Sequence, residues 1–433
     1  TGAGSVAARP GAVYAGRLQL RAASTAATAR AQLRWYDATG TEIAVDRVSG
    51  YAIADGAAGW TSYAVSGLAP ARAASVALAA DLTVTTPGQT HDVARPSLTV
   101  ATAAAGAVRG PLRTVGNKVV DADGQVVVLR GFNRSGQYDQ ARPANLTSDD
   151  VGRIASWGAN VVRVTLGEAL WLPGCPQYDA SYAAAVDDDV RWITSRGMVA
   201  VLDLQYSAPT CDSAALNPLA DAGSLTFWQQ VAARYKSNPL VAFDVYNEPN
   251  HVTAEQWRDG GTVQSVAGRS YRGVGMKALY DAVRSTGAQN LVLVGTLDYA
   301  AAWPSTGPLA GASNVVYAVH AYNCDRPSAC TNGTGSAYLL DRFAAAGTTV
   351  PIMVSEFGWP TGGAPQAYAF DDGVIAYAEA QGWGWAAWDW SRDGRCDADT
   401  WFSVIAPGTC GAGGTQEPAV AGQPILVGLT RNR

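Results

Sequence analysis

Two glutamates close apolar runs of the chain: Glu248 in NPLVAFDVYNEP and Glu356 in VPIMVSEFGWP. A carboxyl group carried on the end of a strand-like run is placed for proton transfer or nucleophilic attack. Two of them across a cleft are what cleavage of a glycosidic bond needs, one protonated to serve the leaving oxygen and one ionised to attack the anomeric carbon. Glu248 is the expected acid: Asn247 before it can hold a sugar hydroxyl, and Pro249 after it favours extended backbone. Glu356 is the expected nucleophile, with Arg163, His320 and Tyr322 as donors to its charge. Carboxylates about 5–5.5 Å apart would make the reaction retaining.

Something must bring residues so far apart in sequence to one place. From residue 112 onwards, short apolar runs alternate with amphipathic stretches: LRGFN, ANVVRVTLG, MVAVLDLQ, LVAFDVYNE, NLVLVGT, NVVYAVHAYN, TVPIMVSEFG and GWGWAAWDW. Continuous apolar runs suit parallel strands buried on both faces. Eight such units predict an α/β fold, a (β/α)8 TIM barrel, whose site is built where the strands end. Asn133, Arg163, Gln205, Asn247, Glu248, His320, Tyr322, Glu356 and Trp388 all stand at those ends. Pro304 and Pro308 interrupt the fifth unit, so its helix must be short or distorted. The run Asp187–Asp189 lies in a helical stretch, where consecutive residues cannot face one ligand; a solvated helix face is expected.

Residues 1–103 follow a different pattern, with short alternating runs and turn signals about ten residues apart, as in an all-β sandwich. Residues 104–111 read as a linker, leaving 112–433 to the barrel.

The motifs LRGFN, NVVRV, VYNEP, VHAYN and VSEFGW, with the tryptophan-rich last run, resemble glycoside hydrolase family 5, the cellulase-like group of retaining barrel glycosidases. The resemblance covers residues 112–433 and implies Glu248 as acid/base, Glu356 as nucleophile, and Arg163, Asn247, His320, Tyr322 and Trp388 in support. It implies an endo-acting enzyme on β-1,4-glucan as the default. Exo action, release of a disaccharide, transfer to a sugar acceptor, and binding without turnover stay open. The chain departs from the family at the third strand end, where Gln205 replaces the usual histidine. LRWYDATGTEI and GWTSYAVSG resemble a jelly-roll carbohydrate-binding module, with Trp35 and Trp60 as either platform or core.

Sugar rings stack on aromatic faces, so Trp171, Tyr206, Trp303, Trp359, Trp388 and Trp390 join Asn133 and Gln205 as candidate substrate contacts. The net charge of −5 and the lack of a basic cluster argue against nucleic acid or an anionic membrane surface as partner. A carbohydrate partner and a monomer are expected. No cysteine has metal-ligand spacing, so no metal or other cofactor is expected. The six cysteines point to disulfides and secretion. Pairing in sequence order, Cys175–Cys211, Cys324–Cys330 and Cys396–Cys410, would brace the loops around the site.

Overall fold

The computed structural model describes residues 5–10, 13–23, 27–47, 53–54, 59–70, 72–83, 87–101, 107–140, 147–209, 215–322, 336–358, 365–390, 403–404 and 422–431. Eight strands close a barrel in chain order: Arg130–Arg134, Val161–Gly167, Val199–Tyr206, Val241–Asp244, Val292–Gly295, Val315–Tyr322, Ile352–Gly358 and Gly384–Ala387. All eight pairings are parallel. The eight predicted runs are these strands.

Strand alternation divides the core in two. One set of side chains, including Val161, Val201, Ala242, Leu293, Val316 and Ala386, fills the barrel interior; the opposite set packs under the helices. The helices begin where caps satisfy their first amides. Thr147 accepts from Asp150 N to start Ser148–Trp157. Asp221 forms a capping box with Ser224 to start Ala222–Tyr235. The fifth unit carries only the four-residue turn Leu297–Ala300, with left-handed residues inside it, as its prolines required.

Two expectations need correction. The segment 107–111 is not free linker: Val108 joins the interior cluster, and its N donates to Gly197 O at 2.8 Å. The linker's other positions, 104–106, lie outside the described residues. Asp189 is not on a solvated face either. It is buried, which pushes its carboxyl up to about 7, whereas Asp187 pairs with Arg234 and Asp188 with Arg191.

Among the described residues the N-terminal region is a sandwich of two antiparallel sheets, of five and three strands. Tyr14, Leu33, Trp35, Tyr63 and Val76 fill the space between them. Trp35 is therefore core, while Trp60 is 42% exposed with Arg21 over its ring. The helix Gly422–Arg431 lies against the sandwich strands Thr61–Leu68 and Val13–Ala22. Among the described residues no helix is long and apolar enough to cross a membrane.

Candidate active site

The inward positions of the strands turn from apolar to polar along their length. On the second strand Val161 gives way to Arg163; on the third, Val201 to Asp203 and Gln205; on the fourth, Ala242 to Asp244; on the sixth, Ala318 to His320. The seventh strand breaks this alternation. Met353 faces inward and Val354 outward, so strict period two would send Glu356 out with Val354. A register shift pairs Val319 with Val354 but His320 with Glu356. The extra residue, Ser355, swings Glu356 inward, as bulges do. The outward alternation then resumes at Phe357.

Arg163 is the hub of this layer and is fully buried. Its Nε donates to Asp244 Oδ2 at 2.8 Å, one Nη to Glu356 Oε1 at 2.7 Å and to Asn133 Oδ1 at 3.0 Å, and the other to Asn247 Oδ1 at 2.9 Å. Asp203 Oδ1 lies 2.8 Å from the same guanidinium. One cation thus faces three carboxyl groups. Burial pushes the Asp203 carboxyl well above its ordinary range, against the pull of Arg163.

Both oxygens of Glu356 are held, Oε1 by Arg163 and Oε2 by the Tyr322 hydroxyl at 2.9 Å. Burial raises its pKa, with the Glu248 charge adding to the rise; His320, Arg163 and the Tyr322 bond oppose it. Burial beside Glu356 keeps the Tyr322 phenol protonated and therefore a donor.

His320 serves the other carboxyl instead. Its Nδ1 lies 2.8 Å from Glu248 Oε1 and 3.6 Å from Glu356 Oε2. Burial holds its pKa down to about 4, with Arg163 contributing, so the imidazole is neutral near pH 7. Glu248 is not extended as Pro249 led us to expect. Its φ is +52°, a left-handed conformation costing roughly 1–3 kcal/mol for a non-glycine residue. Gly295 makes room for that bend, since a Cβ there would meet Tyr246 O at 2.6 Å. One oxygen or nitrogen from each of Glu248, His320 and Glu356 lies within 4.8 Å of the others. The three could converge on a metal ion. However, Glu356 already accepts from two donors, one a cation that would repel another.

The remaining candidates divide. Asn247 is brought to the hub, with Nδ2 buried and without a hydrogen-bond partner. Gln205 joins the layer, its Oε1 buried and also without a partner. Trp388, at the end of the eighth strand, is partly exposed, and the Tyr206 ring meets that of Tyr138 at 4.5 Å, tilted by 55°. Asn133 is not left for substrate: fully buried, its Nδ2 donates to Ser355 O, Ala386 O and Ala387 O while its Oδ1 serves Arg163. Trp390 is core, packed on Phe132 and Trp157 with its indole N–H on Asp150. Trp171 is core as well, between Tyr182 and Phe227. Trp303 packs edge-on against Tyr317, whose side chain belongs to the outer core. Trp359 lies outside the described residues. Cys175 is disulfide-bonded; Cys211, Cys324, Cys330, Cys396 and Cys410 lie outside the described residues. Asp203 and Asp244 were missed. A lone carboxyl at an inward position of an apolar run, in VLDL and AFDV, was the available signal.

A family model described as Cellulase (glycosyl hydrolase family 5) matches residues 120–394, more than half of the chain. The chain belongs to glycosyl hydrolase family 5. Among curated relatives in and around this family, Endoglucanase E-5 of Thermobifida fusca is 24% identical over 318 residues, covering 70% of this chain and 60% of that protein. Endoglucanase MaCel5A of a Microbulbifer species is 25% identical, covering 67% and 55%. The chain thus spans under two thirds of the length of these two relatives. A mannan endo-1,4-beta-mannosidase of Streptomyces lividans is 24% identical, covering 70% of each. The solved catalytic domain of T. fusca endoglucanase Cel5A superposes with a TM-score of 0.53 at 21% identity, over 74% of this chain and 97% of that one. A beta-glucanase from Saccharophagus degradans gives 0.57 at 17%, over 75% and 94%. At these identities the solved structures bear on the fold, the same closed barrel the chain forms.

Proposed function

We propose that this chain is a secreted, retaining endo-β-glycosidase acting on a β-1,4-linked glucan, with Glu356 as nucleophile and Glu248 as acid/base. The observation that carries the reading is the approach of the two carboxyl groups to within 4.8 Å at their nearest atoms. That is near the spacing of retaining enzymes and well short of the roughly 6.5–9.5 Å an intervening water needs. In the first step a Glu356 oxygen attacks the anomeric carbon while the glycosidic C–O bond breaks and Glu248 gives its proton to the leaving oxygen. In the second, Glu248 takes a proton from water, whose oxygen attacks the same carbon and releases Glu356. Arg163 and Tyr322 orient the nucleophile, and neutral His320 keeps Glu248 in place without adding a charge.

The substrate assignment rests on relatives named endoglucanases; the mannosidase relative makes β-1,4-mannan the second reading. Gln205 at the third strand end bears on which β-1,4-glycan is accepted, since its amide meets hydroxyls differently from an imidazole. Trp60, exposed beneath Arg21, supports a carbohydrate-binding role for the sandwich, and the bonded Cys175 supports an oxidising compartment.

Product analysis by mass spectrometry over β-glucans, xylan, mannan, galactan and aryl β-glycosides tests the reading, with Glu356→Gln as control. Internal cleavage of glucan with retained anomeric configuration, abolished by Glu356→Gln, is the expected result. Products of inverted configuration, or full activity in the variant, would sink it. Binding without cleavage would make the barrel a scaffold.

A further inference from the structure

The helix Gly422–Arg431 is buried on every side. All positions from 422 to 429 are buried, with Ile425, Leu426, Val427 and Leu429 each 1% exposed. A barrel helix needs one apolar stripe for the strands beneath it; a helix apolar all round has a second surface to cover. Gly428 marks the barrel side, where a Cβ would meet Ile375 Cγ2 at 2.9 Å and Trp385 Cζ2 at 3.6 Å. Leu426, two residues earlier, stands about 200° away around the helix, so it faces away from the barrel.

The sandwich meets that far side. Gly422–Arg431 contacts the strands Thr61–Leu68 and Val13–Ala22. The second of these is the middle strand of its sheet, and its Tyr14, Leu18 and Leu20 fill the sandwich core. The helix therefore lies on its outer face. Ala15 points that way by strand alternation and is 4% exposed, whereas Gln19 and Arg21 further along the same face stay partly open.

The first barrel helix, Ser148–Trp157, also meets Thr61–Leu68 and touches Gly422–Arg431. These two helices flank the seam where the barrel closes, the pairing of Arg130–Arg134 with Gly384–Ala387. Every other neighbouring pair of barrel strands is consecutive in the chain. The seam pair comes from opposite ends of the barrel, so its closure costs the most chain entropy. The seam also supports the site: Asn133 holds Ala386 O and Ala387 O while serving Arg163, and Trp390 reaches Asp150 of the first helix.

We propose that the sandwich is a clamp on this seam, an intramolecular partner docked on the first and last barrel helices and not a module swinging on a tether. A large apolar interface fixes two domains that a small polar one would leave to move. The family match, residues 120–394, begins after the sandwich and ends before Gly422–Arg431, so the clamp lies outside the family's shared core. The inference is independent of the catalytic reading.

The test cuts the tether in the folded chain. A protease recognition sequence is placed at residues 104–106, and the cut protein is run on size exclusion. The halves are expected to elute together, and calorimetry of the uncut protein should give one endotherm. Ala15→Arg changes only the sandwich. It should release the sandwich after cutting and lower the barrel's melting midpoint by about 3 °C or more. Tryptophan fluorescence reads that midpoint, since only Trp35 and Trp60 belong to the sandwich. Leu426→Asp, on the helix, should release the sandwich as well, and decides the matter if Ala15→Arg does not fold. Halves that separate in the parent, or two endotherms of which the barrel's is unmoved by Ala15→Arg, overturn the proposal. So do halves that stay together in both variants.

Discussion

Arg163 donates to Glu356 at 2.7 Å across 193 positions of sequence, and neither side chain is more than 5% exposed. The same guanidinium meets Asp244 and Asp203, each at 2.8 Å. The nucleophile is therefore one of three carboxyl groups sharing a single fixed positive charge, and its readiness to ionise depends on the other two.

Arg163→Lys is expected to fail at this position. An ammonium is a compact charge and cannot reproduce a planar fork serving five side chains. At least one buried carboxyl loses its partner, a change worth about 3–5 kcal/mol when a buried pair is broken. Urea unfolding would register the loss as a lower midpoint at an unchanged slope. A midpoint within error of the parent would contradict the hub.

Asp203→Asn should be mild by comparison. Burial raises the Asp203 carboxyl against the pull of Arg163, which favours its protonated form, and an amide is a near isostere of that form. An acid raised on folding stabilises below its unfolded value near 4 and loses that contribution as pH rises towards the folded value. The variant should cost under about 1 kcal/mol at neutral pH and gain on the parent as pH rises from about 4. Loss as large as that of Arg163→Lys, with no such pH trend, would mean Asp203 is ionised.

His320 titrates in the opposite sense. Its folded value of about 4 lies below the unfolded value of 6.5, so between those pH values the unfolded chain binds more protons than the folded one. Its contribution to stability is full above about 6.5, falls as pH drops to about 4, and amounts to about 3 kcal/mol. Stability curves from pH 7 to 4 for the parent and His320→Gln should converge at the acid end by about that amount. Parallel curves would show that His320 is not held neutral.

Glu248→Ala separates the two chemical steps. With an activated aryl leaving group the first step needs little acid, while the second still needs a base, so glycosyl-enzyme should accumulate. Stopped-flow release of the aryl group should show a burst, and intact mass should show the adduct on Glu356. On a polysaccharide, the rate should fall about 10²–10⁴-fold. Absence of both burst and rate loss would exclude Glu248 as the acid.

Asp298→Gly should stabilise. At φ 54° glycine removes a strain of about 1–3 kcal/mol, less the extra freedom it gives the unfolded chain. A net gain of about 1 kcal/mol in thermal or chemical unfolding is expected. A loss would mean that the aspartate side chain, not the backbone, sustains the turn.

Much of the barrel was legible because apolar runs buried on both faces are conspicuous, and eight of them with intervening helical stretches leave few architectures. Glu248, Glu356, Arg163, Asn247, His320 and Tyr322 stood out as polar groups where such runs stop. The aromatic candidates were less readable, since a tryptophan beside a strand end has the same sequence signature whether it lines a cleft or fills the core. Trp390 and Trp171 took the second course because Phe132, Trp157, Tyr182 and Phe227 surround them. Asn133 was misjudged for a related reason: three backbone carbonyls use up its amide, and such partners cannot be seen along the chain.

By itself, the sequence determined the barrel and the residue types at its open end, because period, length and turn chemistry are local properties. Tertiary structure decided the aim of each group. The bulge at Ser355 turns Glu356 inward against the strand's own alternation. The left-handed Glu248, the assignment of His320 to Glu248, and the place of Asp203 and Asp244 around Arg163 likewise depend on neighbours from other strands. Those neighbours set burial, and burial sets charge, which no stretch of chain contains alone.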